Sequence, residues 1–154
     1  MVYRWIYNRS NSILILNLYP KHVFMANNLL KGKRGIIFGA LNEQSIAWKV
    51  ALEAHAQGAQ FVLTNAPIAM RMGEINELAT ITNSKVIPAD ATSVEDLENL
   101  FTQAQEILGG KLDFVLHSIG MSPNVRKKKH YTDINYEWYK QTLDVSATSL
   151  HKTL

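Results

Sequence analysis

KRGIIFGALNEQSIA, residues 33–47, is the stretch whose reading decides the fold. Arg34 to Phe38 is a short, nearly continuous apolar run. That is the pattern of a parallel strand buried on both faces. Gly39 ends it, and Ser45 stands where a helix would begin, with a helical pattern from Ser45 to Gln57. A strand that breaks at glycine and re-enters as a helix is the first turn of a dinucleotide fold. There the pyrophosphate meets unpaired backbone N–H groups and the positive end of a helix dipole. Gly39 suits the turn because it has no Cβ to keep the backbone from the phosphates. The second and third glycines of G-x-G-x-x-G are absent. Taken alone, the turn is equally an ordinary strand-to-helix connection with Ser45 as N-cap.

Outward from this turn the chain alternates strands and helices, the signature of βαβ units feeding a parallel sheet. Gly58 stops the first helix, and Gln60 to Thr64 (QFVLT) reads as the second strand. A helix is expected from about Ala69 to Thr80, then a short third strand, Lys85 to Ile87, before Pro88. Ser93 with Asp96 three residues on forms a capped start for a helix that runs to Leu108 and ends at Gly109 and Gly110. Leu112 to His117 (LDFVLH) is the fourth strand, Ser118 to about Thr132 a loop, and Tyr136 to Leu150 the last helix. The expected architecture is a doubly wound, Rossmann-like α/β sheet carrying about four strands, in order 3-2-1-4.

Composition narrows the function classes. The 154 residues are 47% hydrophobic and contain no cysteine, which excludes disulfides, zinc-thiolate sites and cysteine nucleophiles and fits a cytoplasmic address. The net charge of +3 has a local origin: Arg4, Arg9 and Lys21 lie in an acid-free stretch, residues 1–24, and the remaining charges balance. That balance argues for neither a nucleic-acid nor a membrane partner. The apolar run from Ile13 to Leu18 is broken by Asn17 and followed by no small-x-small cleavage site, so it makes a poor signal peptide. Residues 1–24 are expected to be an extension outside the fold, with residues 25–154 forming one nucleotide-binding unit.

Three landmarks share one order and spacing: Gly32-Lys33-Arg34 leading through Gly39 to Ser45-Ile46-Ala47, Asp90 after the third strand, and His117-Ser118-Ile119-Gly120 at the end of the fourth. In these the chain resembles the bacterial NADH-dependent enoyl-acyl carrier protein reductases of the short-chain dehydrogenase/reductase superfamily. The resemblance runs from about Leu30 to Leu150. H-S-I-G is its most specific element, since most short-chain dehydrogenases, ketoreductases among them, have N-N-A-G there. The resemblance implies that Gly39, Ser45 and Ile46 meet the pyrophosphate and the nicotinamide side of the cofactor. It implies that Asp90 and Ala91 hold the adenine, that Ser118, Ile119 and Gly120 line the nicotinamide ribose, and that Met121 and Ser122 border the acyl pocket. It further implies reduction of trans-2-enoyl thioesters in fatty acid biosynthesis, an enoyl-acyl carrier protein substrate and a homotetramer. His117 reads as a half-buried strand residue with no acid-base role.

Two departures stand out. The acid usually found about 20 residues beyond the glycine turn, which binds the ribose of NAD, is replaced by Thr64-Asn65-Ala66-Pro67. Asn65 could bond the ribose and Arg71 could meet a 2′-phosphate; the resemblance implies NADH, and NADPH stays open. The family's Tyr-x6-Lys pair is not found, since none of Tyr131, Tyr136 and Tyr139 has a lysine seven residues on. On that ground the chain is expected to be a fragment, inactive alone and prone to associate through an uncovered fourth strand. A non-catalytic nucleotide-binding module is the alternative. Finally, Arg126-Lys127-Lys128-Lys129-His130 is either a solvated loop or a contact for an acidic partner such as acyl carrier protein.

Overall fold

The computed structural model describes residues 27–154, so the expected extension over 1–24 lies outside the described residues. Four parallel strands, β1 (Arg34–Phe38), β2 (Gln60–Thr64), β3 (Lys85–Val86) and β4 (Phe114–His117), form one sheet in the order β3-β2-β1-β4. β1 lies between β2 and β4, with Phe38 level with Thr64 on one side and His117 on the other. The order anticipated from the sequence is the one found.

Strand alternation divides the core into two layers. On one face Ile37, Phe61 and Leu63 pack with Trp48 and Ala51 of α1 (Ile46–Ala56) and with Ile75 and Leu78 of α2 (Glu74–Thr82). On the other, Ile36, Phe38 and Val62 pack with Leu97, Leu100 and Ala104 of α3 (Val94–Leu108). Each such fully buried Ile, Leu or Phe contributes roughly 1.5–3 kcal/mol relative to exposure. That burial on both faces explains why β1 and β2 read as unbroken apolar runs.

The expected helix over 69–80 is broken. A 3-10 turn, Ala69–Met72, stops at Gly73, whose φ of +76° is left-handed, and α2 starts afresh at Glu74. The expected loop over 118–132 contains a short helix, α4 (Pro123–Arg126), and a 3-10 turn, Tyr131–Asp133. Two asparagines hold that stretch together. Asn124, buried, donates from Nδ2 to the Asn135 carbonyl (3.0 Å) and accepts the Asn135 N–H on Oδ1 (2.9 Å), the reciprocal pattern of a strand pair. Asn135 Oδ1 in turn caps α5 (Tyr136–Leu143) through the Trp138 N–H. The last helix is interrupted as well: α5 passes through a π-helical stretch, Asp144–Thr148, before α6 (Ser149–Thr153).

The Asp113 carboxylate, just ahead of β4, turns toward β1. It accepts the Arg34 N–H (2.9 Å) and pairs with Lys33 Nζ (2.8 Å), while the Asp113 N–H donates to the Arg34 carbonyl (2.7 Å). The lysine, then the backbone amide, holds the Asp113 carboxyl below its ordinary 3.8. The group staples the entry of β1 to the entry of β4.

Candidate functional site

The candidate cofactor and substrate residues, Gly39, Ser45, Ile46, Asn65, Asp90, Ala91 and Ser118 to Ser122, follow the carboxyl ends of the strands, where ligands bind in open α/β sheets. Gly39 has a φ of +88°, and an added Cβ would overlap the carbonyl oxygen of Ser118. The turn after β1 and the loop after β4 are therefore in backbone contact. The Gly39 N–H donates to the Thr64 carbonyl (3.1 Å), and the Ala89 N–H to the Asn65 carbonyl (3.1 Å). A continuous path thus joins Ser118, Gly39, Thr64, Asn65 and the loop bearing Asp90 and Ala91. It forms one rim through contacts between residues 24 to 79 positions apart in the chain.

Along this rim the start of α1 has the chemistry of an anion site. Ser45 occupies the N-cap position, but its hydroxyl donates to the Asn42 carbonyl (2.7 Å) instead of capping the helix. The first turn of α1 carries no acid, whereas α2 opens with Glu74 and Glu77 and α3 with Glu95 and Asp96. First-turn N–H groups with no side-chain cap, at the positive end of an 11-residue helix, suit a phosphate. Ile46 is 72% exposed at this spot, available to a ligand and dispensable to the core.

At the far end of the rim, Asp90 is exposed and folds its Oδ1 back onto the Thr92 N–H (2.8 Å) and hydroxyl (2.7 Å). Asp96 supports it by accepting the Asp90 N–H on Oδ2 (2.9 Å). Only half of the anticipated capping box forms: Ser93 Oγ accepts the Asp96 N–H (3.2 Å), and the Asp96 carboxylate serves Asp90. Ala91 is buried against α3, and Asn65 spends its side-chain oxygen on the neighbouring Ala66 N–H (3.0 Å). Thr64, fully buried beside Asn65, has a hydroxyl with no partner among the described residues.

On the β4 side, Ile119 packs against the α3-side core and Gly120 borders open space. Ser122 Oγ accepts the Val125 N–H (3.4 Å) and so caps α4. His117 is half-buried, as expected, with Nε2 2.7 Å from Ser149 Oγ. The Ser149 hydroxyl gives its one proton to the Val145 carbonyl (2.7 Å), so His117 must donate from Nε2. Sequence reasoning missed Ser149 and two neighbours, Ser146 and Lys152. The available signal was a cluster of hydroxyls inside a helix (Ser146, Thr148, Ser149), where such side chains bond backbone or partners. Among the described residues, no group of three or more His, Asp or Glu could hold a metal ion, and no helix is long and apolar enough to cross a membrane.

The family model described as enoyl-(acyl carrier protein) reductase matches residues 39–154, from the first glycine of this rim onward. The chain belongs to that family. Among curated enoyl-acyl carrier protein reductases, it is 35% identical over 124 residues to the NADH enzyme 2 of Rhizobium meliloti, covering 80% of this chain and 46% of that protein. It is 36% identical over 123 residues to the NADH enzyme FabI of Aquifex aeolicus, covering 79% and 45%. Among solved structures, FabI of Alistipes finegoldii in complex with NADH is 63% identical with a TM-score of 0.79, over 82% of this chain and 44% of that one. The Bacillus cereus enoyl-acyl carrier protein reductase, solved with NADP+ and an indole naphthyridinone, is 29% identical with a TM-score of 0.72, over 81% and 49%. The chain therefore spans less than half the length of these enoyl reductases. The doubly wound, Rossmann-like sheet is the fold they share with it.

Proposed function

We propose that this chain provides the cofactor-binding part of an NADH-dependent enoyl-acyl carrier protein reductase, which reduces trans-2-enoyl thioesters in fatty acid biosynthesis. The observation that carries the reading is the contact of the Gly39 turn with Ser118. It brings the uncapped start of α1 and the Ser118-Ile119-Gly120 loop onto one rim. In this reading Gly39, Ser45 and Ile46 face the pyrophosphate, Asp90 and Ala91 the adenine, and Asn65 the adenosine ribose. Ser118, Ile119 and Gly120 face the nicotinamide ribose, with Met121 and Ser122 beside the acyl chain. When bound, NADH supplies hydride to the β-carbon of the enoyl thioester, becoming NAD+ while the α-carbon takes a proton. The residues of this chain do the binding and orientation: backbone N–H groups neutralise phosphate charge, Asp90 accepts from the adenine amine, and the 118–120 loop fixes the ring that reacts.

Support for NADH over NADPH comes from the relatives named for NADH and from the NADH complex of the 63%-identical structure. The NADP+ complex from Bacillus cereus makes the 2′-phosphate a real alternative, to be met by the exposed Arg71. The acidic acyl carrier protein fits the exposed run Arg126 to His130, none of whose cations has an ion-pair partner among the described residues. A homotetramer working in the cytoplasm completes the proposal. Titrating the chain with NADH, NADPH and ADP-ribose, followed by nicotinamide fluorescence and calorimetry, tests it. NADH is expected to bind more tightly than NADPH, and equal or tighter binding of NADPH would reverse the cofactor assignment.

A further inference from the structure

We infer that the interrupted helix from Asp144 to Lys152 is a positioning bracket that sets the spacing between the nicotinamide-side and adenine-side loops. Ser146 and Ser149 hold the first loop and Lys152 the second. The inference rests on the proposed NADH site and adds three residues to it. Ser146 Oγ accepts the Met121 N–H (3.1 Å) and donates to the Met121 carbonyl (3.3 Å). It thereby clamps one residue of the loop at both backbone atoms. Unlike Thr142, Ser149 and Thr153, which bond the carbonyl four residues back, Ser146 directs its hydroxyl wholly to this loop. Ser149, fully buried, accepts from His117 Nε2 at the root of the same loop. One turn on, Lys152 Nζ reaches across to donate to the Thr92 carbonyl (3.2 Å), next to the turn closed by Asp90. It is steadied by Asp144 Oδ1 (3.0 Å), and its side chain is 27% exposed.

The π-helical stretch is what lets one helix do both jobs. At about 100° per residue, positions eight apart diverge by about 80° around an ideal α-helix. Bonds from i to i+5 wind less per residue, and five residues of them, Asp144–Thr148, bring Asp144 and Lys152 onto one face. Lys152 then points at Thr92 while Ser146 still points at Met121. A straight helix would satisfy one loop and miss the other. Ser146, Ser149 and Lys152 are thus positioning residues: they touch the loops, and the loops touch the cofactor.

The test is a ligand split that a merely structural role would not produce. Binding of ADP-ribose and of NADH is measured for the unaltered chain, Ser146→Ala, Lys152→Met and the conservative Ser146→Thr and Lys152→Arg. Lys152→Met is expected to weaken both ligands about five- to tenfold, the scale of one ordinary protein hydrogen bond. Ser146→Ala is expected to weaken NADH by a similar factor and leave ADP-ribose unchanged, and both conservative variants are expected to restore binding. Equal loss of both ligands in Ser146→Ala, or no loss in either variant, overturns the bracket. Should a variant fail to fold, amide exchange on the unaltered chain decides: NADH must slow exchange at 118–121 and 144–149 together, and protection confined to 39–47 and 90–91 overturns the bracket. Failure of the unaltered chain to bind either ligand overturns the proposed function and the bracket with it. Normal binding with indifferent variants overturns the bracket alone.

Discussion

Replacing Gly39 by alanine tests the joint on which the site depends. Two costs are separable from the structure. The φ of +88° is a conformation that a residue with a Cβ adopts at a cost of about 1 kcal/mol. The new Cβ would also overlap the Ser118 carbonyl oxygen and lie 2.8 Å from its carbonyl carbon, so the Ser118 peptide must retreat by about 1.4 Å to reach ordinary contact. Forcing such a shift in a packed region costs roughly 1–3 kcal/mol, for a total of about 2–4 kcal/mol. At roughly 3 °C per kcal/mol for a chain of this size, Tm falls by about 6–12 °C. Gly73→Ala is the internal control: its φ is +76° but nothing lies within 4 Å of an added Cβ, so it bears the conformational cost alone, about 3 °C. The assay is thermal unfolding of both variants, followed by NADH titration at a temperature where each is folded. Because Ser118 moves, Gly39→Ala is expected to weaken NADH while Gly73→Ala leaves it unchanged. Equal Tm shifts, or unaltered NADH affinity in Gly39→Ala, would refute the coupling between the two loops.

Four further outcomes follow from particular residues. Gly120→Ala meets nothing within 4 Å and should melt like the unaltered chain yet bind NADH several-fold more weakly; unchanged affinity would remove Gly120 from the site. Asp113 has a folded pKa below its ordinary 3.8, so its contribution to stability is fully present above that value and fades as pH falls through the lowered one. Urea unfolding should therefore find Asp113→Asn less stable than the unaltered chain at neutral pH, with the gap closing in acid and shrinking in high salt; a gap constant with pH would mean that the carboxylate charge is irrelevant. Asn124→Ala leaves the Asn135 N–H without a partner and its carbonyl with the Tyr139 N–H alone, and should cost about 1–3 kcal/mol, with faster amide exchange across 123–135; protection equal to that of the unaltered chain would deny the clamp. A chain beginning at Met25 is expected to keep the thermal transition of the full 154 residues, and loss of helical signal would show that the first 24 pack on the core.

What could be read from the sequence is what local chemistry determines. β1 and β2 were legible to the residue because their buried apolar runs, Ile36 to Phe38 and Phe61 to Leu63, are unbroken, and Gly58 and Gly109 mark helix ends with the left-handed φ that glycine accepts. The turn at Gly39 was legible for the same reason, its φ being +88°. The break at Gly73 was not, since glycine inside a helical pattern is tolerated as often as it stops a helix. The four-residue α4 is too short for any period, and its stability comes from Asn124 reaching Asn135, 11 positions away.

The sharpest contrast lies within the site itself. The rim residues that the sequence could nominate follow the ends of strands, a placement written close to their own position. The residues that space the two loops act through partners 25, 32 and 60 positions away: Ser146 through Met121, Ser149 through His117 and Lys152 through Thr92. In isolation each is unremarkable, a hydroxyl or a lysine on the last helix. A hydroxyl inside a helix ordinarily satisfies itself on the preceding turn, so nothing at position 146 alone could show that its bond goes elsewhere. Only the fold brings Met121 over Ser146, and only the π-helical stretch brings Lys152 round to Thr92 without losing that contact. The spacing of the two loops is thus encoded non-locally, which is why it required the structure.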